Sequence, residues 1–360
     1  MPTSQEPIEA VSQRLDKFLS EQLSYASSLG PEAEMLTRSG ASSLRGGKRL
    51  RARFCLTGFT SVAPADAGPH EAALAVATSL EIFHAAALVH DDLVDNSDTR
   101  RGQPAAHRAL QRAHRDAAWT GDSDAFGRSG AILLGDLLVA WSDDLLEEGL
   151  ELSPATAAVT RRAYAQMRRD VTIGQFLDVA EESAYTAYPD DTHAERALRV
   201  ASYKSARYSI QQPLLIGASL AGGDEAQLDA LGRFGHDVGM AFQLRDDVLG
   251  VFGDTAVTGK PVGDDLREGK RTVLVAYARE ALPATERARI DALIGDATLD
   301  APQIADLQRL IVDTGALERV EHLISDYART ADGALEGAPL HDDAVGELRA
   351  LARAATQRTA

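Results

Sequence analysis

Residues 71–96 read EAALAVATSLEIFHAAALVHDDLVDN. The stretch has no Gly or Pro, is rich in Ala and Leu, and ends in acid. Its length and helix formers predict one long buried helix. Its apolar run, 72–90, is interrupted by Glu81 and His84, which leaves it short of an unbroken membrane span. Working outward, similar helical stretches are expected at 8–29, 129–149, 154–183, 194–220, 224–253 and 271–282. Three or four more follow to the C-terminus, and Pro213 should kink the helix that contains it. No run alternates β-branched residues, so strands should be few or absent.

The breaks between these stretches are rich in Gly, Pro and Asp: 61–70, 115–128, 184–193 and 253–270. The last is too rich in Gly and charge to pack and too long for a plain turn, which suits a functional loop. Residues 1–7 should be disordered. No linker and no fixed-period repeat divides the chain, so one all-α domain over 1–360 is expected.

The net charge is −17, with 37 Lys+Arg against 54 Asp+Glu. An acidic chain is a poor general binder of nucleic acid, and any phosphate ligand needs locally gathered cations or a metal. The one cysteine, Cys55, lies between Phe54 and Leu56 and reads as a buried structural thiol. A disulfide framework and a Cys-rich zinc site are excluded. The N-terminus lacks the basic and apolar regions of a signal peptide, so a cytoplasmic protein is expected.

Asp91 and Asp95 are one turn apart on one face, with Asp92 beside them. Such carboxylates repel each other at a helix C-terminus that is already negative, so a cation should compensate. Carboxylate oxygens on an open site suit Mg²⁺, which keeps several waters and bridges to phosphates. A second pair, Asp246 and Asp247, sits in the apolar stretch FQLRDDVLGVF, 242–252. Burying adjacent carboxylates is costly unless they are paired or metal-bound. Two such pairs facing each other across a bundle would clamp a diphosphate through metal.

The scarce basic residues are placed to match. GGKRLR, 46–51, puts Lys48 and Arg51 three apart after two glycines, and Arg100 and Arg101 directly follow the first acidic cluster. Arg forks fit phosphate oxygens bidentately. His84 lies seven residues before Asp91 and shares its face, whereas His90, His107 and His236 have no such support. A P-loop reading of the Gly-Lys pairs fails. Five residues, not four, separate the glycines, and neither Lys260 nor Lys270 precedes Ser or Thr directly.

The ordered set GGKRLR, ExxHxxxLxHDDxxD with RRG, FQxxDD and GKPxGxDLxxGKxT, over residues 46–272, resembles the trans-isoprenyl diphosphate synthases of the polyprenyl synthetase family. The resemblance implies an all-α bundle of about ten or more helices around a deep central cavity. It also implies a homodimer and two or three Mg²⁺ ions. It assigns Asp91, Asp92 and Asp95, with Asp246 and Asp247, to metal. Arg100, Lys204 and Lys260 would hold the allylic diphosphate. Lys48, Arg51, His84 and Arg101 would hold isopentenyl diphosphate. Gln243 and Ser205 would sit beside the developing carbocation, and Lys270 on a lid formed by 253–270. Asp91, Asp95, Lys204, Gln243 and Asp246 are the implied catalytic set.

Two positions depart from the pattern. The second acidic motif often ends in Asp where this chain has Gly250, and Lys204-Ser205 stands where Lys-Thr is usual. Asp254 follows four residues after Gly250 and is a candidate to help through water. Short-chain members often carry an aromatic just before the first motif. Here those positions are Ala86 and Ala87, and the next bulky side chain is Phe83, eight residues before Asp91. Eight helical residues rise about 12 Å, close to the length of a C15 chain, so one extension over a Phe83 floor gives C20. The expected reaction is ionisation, condensation and elimination, with geranylgeranyl diphosphate as product. The alternatives are a C15 or a longer product, and a non-catalytic partner subunit. A class I terpene cyclase needs no second diphosphate site, so GGKRLR and RRG argue against it.

Overall fold

The computed structural model describes residues 6–63, 71–254 and 262–356. Its Cα framework divides into two compact units, one of residues 1–161 with 219–222, the other of 162–218 with 223–360.

In the first unit the decisive stretch is one helix. α1 (Glu6–Leu29), α2 (Pro31–Ser43) and α3 (Leu50–Thr60) precede α4 (Glu71–Val94). A two-residue hairpin, β1 (Thr99–Arg100) and β2 (Gln103–Pro104), then leads to α5 (Ala106–Asp116) and α6 (Ser123–Glu151). α4 is long and apolar enough to cross a membrane by composition alone. Here most of it is buried, packed along α6 and against α3 and α1. Ile82, Ala85, Ala86 and Val89 meet Leu134, Leu138 and Trp141 of α6 and Leu15 and Phe18 of α1 in one apolar core. Removing that area from water at about 25 cal/mol per Å² makes it the main stabilising term of the unit. Cys55 is fully buried in α3, and burial pushes its thiol up to about 12, so it is an inert core residue as expected.

The second unit contains α7 (Ala157–Ala184, from residue 162 on), α8 (His193–Val200), a π-helical segment (Ala201–Gln211) and α9 (Gln212–Leu220, to residue 218). Then come α10 (Glu225–Phe252), α11 (Asp264–Glu268), α12 (Val273–Ala281), α13 (Ala284–Leu293), α14 (Ala301–Asp313), α15 (Ala316–Ala334) and α16 (Asp342–Thr356). α10 starts on a capping box between Asp224 and Gln227, which satisfies otherwise unpaired backbone donors. Its apolar face packs on α15 and the π-segment.

Three expectations change. Residues 115–128 are not one excursion, because α6 already begins at Ser123, capped by Asp122. Gly127 falls in the expected break, yet it is a contact glycine. A β-carbon there would come within 2.3 Å of the His107 carbonyl. The 253–270 segment packs in part, since Leu266 of α11 is fully buried in the second unit's core. Residues 255–261 of it lie outside the described residues. Finally α1 begins at Glu6, so residues 6 and 7 are helical, and 1–5 lie outside the described residues.

Candidate active site

The first acidic cluster lies where α4 stops. The helix ends at Val94, two residues before the expected end, because Asn96 takes a left-handed conformation at φ 53° and the Ser97 amide bonds back to the Asp92 carbonyl. The Asp95 amide still bonds to the Asp91 carbonyl at 2.8 Å, so the two side chains remain one turn apart.

The hairpin turns at Arg101 and Gly102, both with positive φ (53° and 71°), as the favoured two-residue hairpin turn requires. Arg100 thereby reaches the acids. Its Nε donates to Asp92 Oδ1 at 2.8 Å and its Nη2 to Asp91 Oδ2 at 3.3 Å. Asp92 is buried, so this guanidinium supplies the compensating charge that the sequence demanded.

Arg101 turns the other way. Its Nη1 donates to the Arg45 carbonyl at 3.0 Å, and its guanidinium lies where a β-carbon on Gly47 would be 3.0 Å away. Gly47, at φ 86°, lets the GGKRLR loop close over that fork. Sequence motifs some fifty residues apart thus meet. Arg51 is half-buried beside them, and Lys48 is exposed.

Sequence reasoning missed two members of this cluster. Arg49 adopts φ 49°, donates from Nη2 to the Leu44 carbonyl at 2.9 Å, and pairs with Glu81 at 3.7 Å. Glu81, buried, accepts from the Ala52 amide at 3.0 Å and so ties the start of α3 to α4. The signal was the one acid in the apolar run 72–90. His84 sits in the field of this group. Burial first, then Arg51, Arg101, Arg100 and Arg49, hold its imidazole well below the usual range, so it is neutral at pH 7. Four guanidiniums, two of them paired with acids, and one neutral imidazole gather near this loop, a donor set of the kind that suits an anion.

A cavity of 1040 Å³ in this unit borders the cluster and runs beside α4, past Ala85, Leu88 and Val89. Phe83, Ala86 and Ala87 are not among its walls. Phe83 and Ala86 are buried, Ala86 in the core against α6, and Ala87 is half-buried.

In the second unit Lys204 and Ser205 lie on the π-segment. Gly174 of α7 allows its closest approach: a β-carbon there would be 2.4 Å from the Lys204 amide nitrogen. Lys204 Nζ pairs with Asp178 of α7, a residue the sequence reading passed over. Asp246 is half-buried and Asp247 buried on α10. Gln243 donates from Nε2 to Asp247 Oδ1 at 2.7 Å. Lys270 pairs with Glu268 at 2.7 Å and lies 3.7 Å from Asp265. Asp254 is exposed, and Lys260 lies outside the described residues.

Both acidic sets offer only hard oxygen donors. Among the described residues no three His, Cys, Asp or Glu side chains converge to enclose a metal ion. That donor chemistry fits Mg²⁺, which is held by one or two carboxylates and completed by water and phosphate. Burial, then Asp265 and Asp246, lift the Asp247 carboxyl to about 8 against the Gln243 hydrogen bond and the Lys270 charge. Asp247 is therefore a neutral acid at pH 7 in the metal-free chain. Its folded value exceeds the ordinary 3.8, so the stability it contributes is full below pH 3.8 and is lost as pH rises through about 8. A cation bound beside it displaces that proton. Calorimetric Mg²⁺ titrations with pyrophosphate, in buffers of different protonation enthalpy and with the proton release of an enzyme-free Mg²⁺–pyrophosphate titration subtracted, should show release of about one further proton at pH 7 and none above about pH 9. Absence of release at pH 7 would contradict a neutral Asp247.

Comparison with known proteins agrees with this arrangement. The polyprenyl synthetase family model matches residues 33–311. A geranylfarnesyl diphosphate synthase of Aeropyrum pernix is 32% identical over 308 residues, covering 84% of this chain and 87% of that protein. A geranylgeranyl diphosphate synthase of Mycobacterium tuberculosis is 35% identical over 260 residues, 72% of this chain and 65% of that one. The crystal structure of geranylgeranyl pyrophosphate synthase from Corynebacterium glutamicum, complexed with isoprenyl diphosphate and magnesium, is 40% identical. It superposes with a TM-score of 0.92 over the whole of both chains. The chain belongs to the polyprenyl synthetase family and is a trans-prenyltransferase, with the all-α fold of that family.

Proposed function

We propose that the enzyme condenses isopentenyl diphosphate with an allylic diphosphate and that its main product is C20 geranylgeranyl diphosphate. The observation that carries the reading is the meeting of Arg49, Arg51, Arg100, Arg101 and neutral His84 around one loop, less than two turns below Asp91 on α4. It supplies a diphosphate site that adjoins the carboxylates through Arg100, whose guanidinium meets Asp91 and Asp92.

In this reading Lys48, Arg51, His84 and Arg101 hold isopentenyl diphosphate, with Arg49 kept in place by Glu81. Arg100, Lys204 and Lys260 hold the allylic diphosphate, and Lys270 closes over it. Asp91, Asp92, Asp95, Asp246 and Asp247 hold two or three Mg²⁺ ions. Mg²⁺ when bound neutralises charge on the departing diphosphate. The allylic C–O bond breaks, and its electron pair leaves with the diphosphate. The isopentenyl double bond attacks the resulting cation at C1, forming the new C–C bond. A proton from C2 of the former isopentenyl unit passes to the released diphosphate and restores a double bond. Ser205 and Gln243 present oxygens toward the cation, whose positive charge a fixed dipole stabilises better than reorganising water does. A neutral His84 keeps a hydrogen-bonding ring nitrogen without adding a fifth positive charge to the cluster.

Phe83, Ala86 and Ala87 set the chain length in this reading. The C20 product is supported by the names of the Mycobacterium and Corynebacterium relatives. A cytoplasmic homodimer is the expected state. α6 exposes Ile132 and Leu133, at 49% and 60%, an apolar pair that a second copy can cover.

The test is a product assay with isopentenyl diphosphate, Mg²⁺ and C5, C10 or C15 primers, with the mass in solution read by light scattering. A dominant C20 product and a dimer are expected. Phe83→Ala should move the main product to C25 or beyond. An unchanged distribution would remove Phe83 from chain-length control, and no condensation from folded protein would overturn the reading.

A further inference from the structure

Tyr185 falls in the turn region expected at 184–193, just past the end of α7, yet its side chain is buried. His193, the first residue of α8, stacks on its ring with centroids 3.9 Å apart and planes 29° apart. The guanidiniums of Arg271 and Arg279 stand over the same ring at 4.3 and 4.6 Å. Both arginines also donate to Asp291 of α13, Arg271 from Nη1 at 3.1 Å and Arg279 from Nε at 2.8 Å. The shared carboxylate offsets the repulsion between the two cations, and an aromatic face attracts a cation most strongly where water is excluded. The hydroxyl adds nothing to this arrangement. It is buried and forms no hydrogen bond, and burial pushes it up to about 12 against the nearby Arg279 charge.

Arg271 directly follows Lys270, and the two side chains part. Lys270 pairs with Glu268, whereas Arg271 goes to Tyr185 and Asp291. Thr272 then caps α12, its side chain accepting from the Val275 amide. The seat of Arg271 therefore fixes the backbone one residue from the lysine. The other side of the ring belongs to the Lys204 end of the unit. Asp178, which pairs with Lys204, lies seven residues before Tyr185 on α7, and α8, which opens at His193, runs straight into the π-segment that bears Lys204. On the reading of Lys270 as the lysine that closes over the allylic diphosphate, we propose that Tyr185 is a positioning residue. Its ring is the plate on which Arg271 seats, and it sets Lys270 and Lys204 from one buried point.

The test is steady-state kinetics with a C15 allylic diphosphate, isopentenyl diphosphate and Mg²⁺, with melting curves alongside. Tyr185→Leu removes the aromatic face, and Arg271→Met removes the cation at nearly constant length. Each should raise the KM for the allylic substrate by about tenfold or more, since a small misplacement of a binding group is costly. The KM for isopentenyl diphosphate, whose groups lie in the first unit, should not change. Tyr185→Phe keeps the ring and loses only a buried hydroxyl that makes no hydrogen bond, so it should keep wild-type kinetics and an equal or higher melting temperature. If Tyr185→Leu fails to fold, Arg271→Met decides alone. Lys270→Ala separates the role of Tyr185 from the lid reading. A raised allylic KM in Lys270→Ala, with wild-type allylic KM in the folded Tyr185→Leu or Arg271→Met, would overturn the role of Tyr185 and leave the lid standing. So would both KM values rising together in those variants, which is what a mere scaffold gives. Tyr185→Phe impaired as deeply as Tyr185→Leu would overturn the part given to the ring. Wild-type allylic KM in Lys270→Ala would overturn both readings.

Discussion

Asp91→Ala is expected to lower kcat by about 10²- to 10³-fold, the usual effect of deleting one fixed electrostatic contact at a reacting diphosphate, with no loss of fold. The second half of that statement comes from geometry. Asp91 lies in the last turn of α4, where the helix dipole is negative and Asp92 and Asp95 are near, so removing its charge relieves repulsion. Arg100 keeps its contacts with Asp92. The melting temperature should therefore stay or rise while turnover collapses. Asp92→Ala should behave differently. Asp92 is 3% exposed and holds Arg100, so its loss leaves a half-buried guanidinium without its closest partner and lowers stability too. Turnover with Mg²⁺ and melting curves for both variants decide it. Unchanged turnover in Asp91→Ala would remove the first acidic cluster from catalysis.

How much of this was legible follows from which interactions are local. α4 was legible because its apolar density needs no partner to be recognised. Its end was not, because Asn96 terminates it through a left-handed turn that any polar residue could have declined to make. The start of α6 was misread for the opposite reason: Gly127 permits contact with α5 rather than breaking the helix. In the site, the basic motifs could be picked out as charges in an acidic chain. That Arg101 lies over Gly47 and that Arg49 is tethered by Glu81 depends on the approach of α3, α4 and the hairpin, which no spacing encodes. Gly250 looked like a missing ligand, and the Asp265 carboxylate that fills the space beside it lies fifteen residues on, out of reach of local pattern. The π-helical segment that ends two residues before Pro213 was not legible, because its cause is tertiary.

That cause supports the second large effect. The π-segment is clamped by glycines from both sides. A β-carbon on Gly174 would be 2.4 Å from the Lys204 nitrogen and 2.5 Å from the Tyr203 carbonyl carbon. One on Gly239 of α10 would be 2.5 Å from the Ala206 oxygen. These are backbone atoms and cannot swing aside as a side-chain tip can. Gly174→Ala must therefore move residues 203–204 as a unit, at an overpacking cost of about 1–3 kcal/mol. Because the pairing of Lys204 with Asp178 spans that same contact, the ammonium moves with the backbone. A displacement near 1 Å of a positioning group costs about 10²-fold in rate. The expected result is a folded, less stable enzyme with a raised KM for the allylic substrate and a kcat reduced by about that factor, while the KM for isopentenyl diphosphate is kept. Gly232→Ala is the control on α10. Its β-carbon would meet only Leu215, at 3.8 Å or more, so it should keep wild-type kinetics and gain up to about 1 kcal/mol from helix propensity. If Gly174→Ala matched Gly232→Ala in kinetics, the π-segment would be scaffold alone, and Lys204 would have to reach its place by side-chain freedom rather than by the clamp.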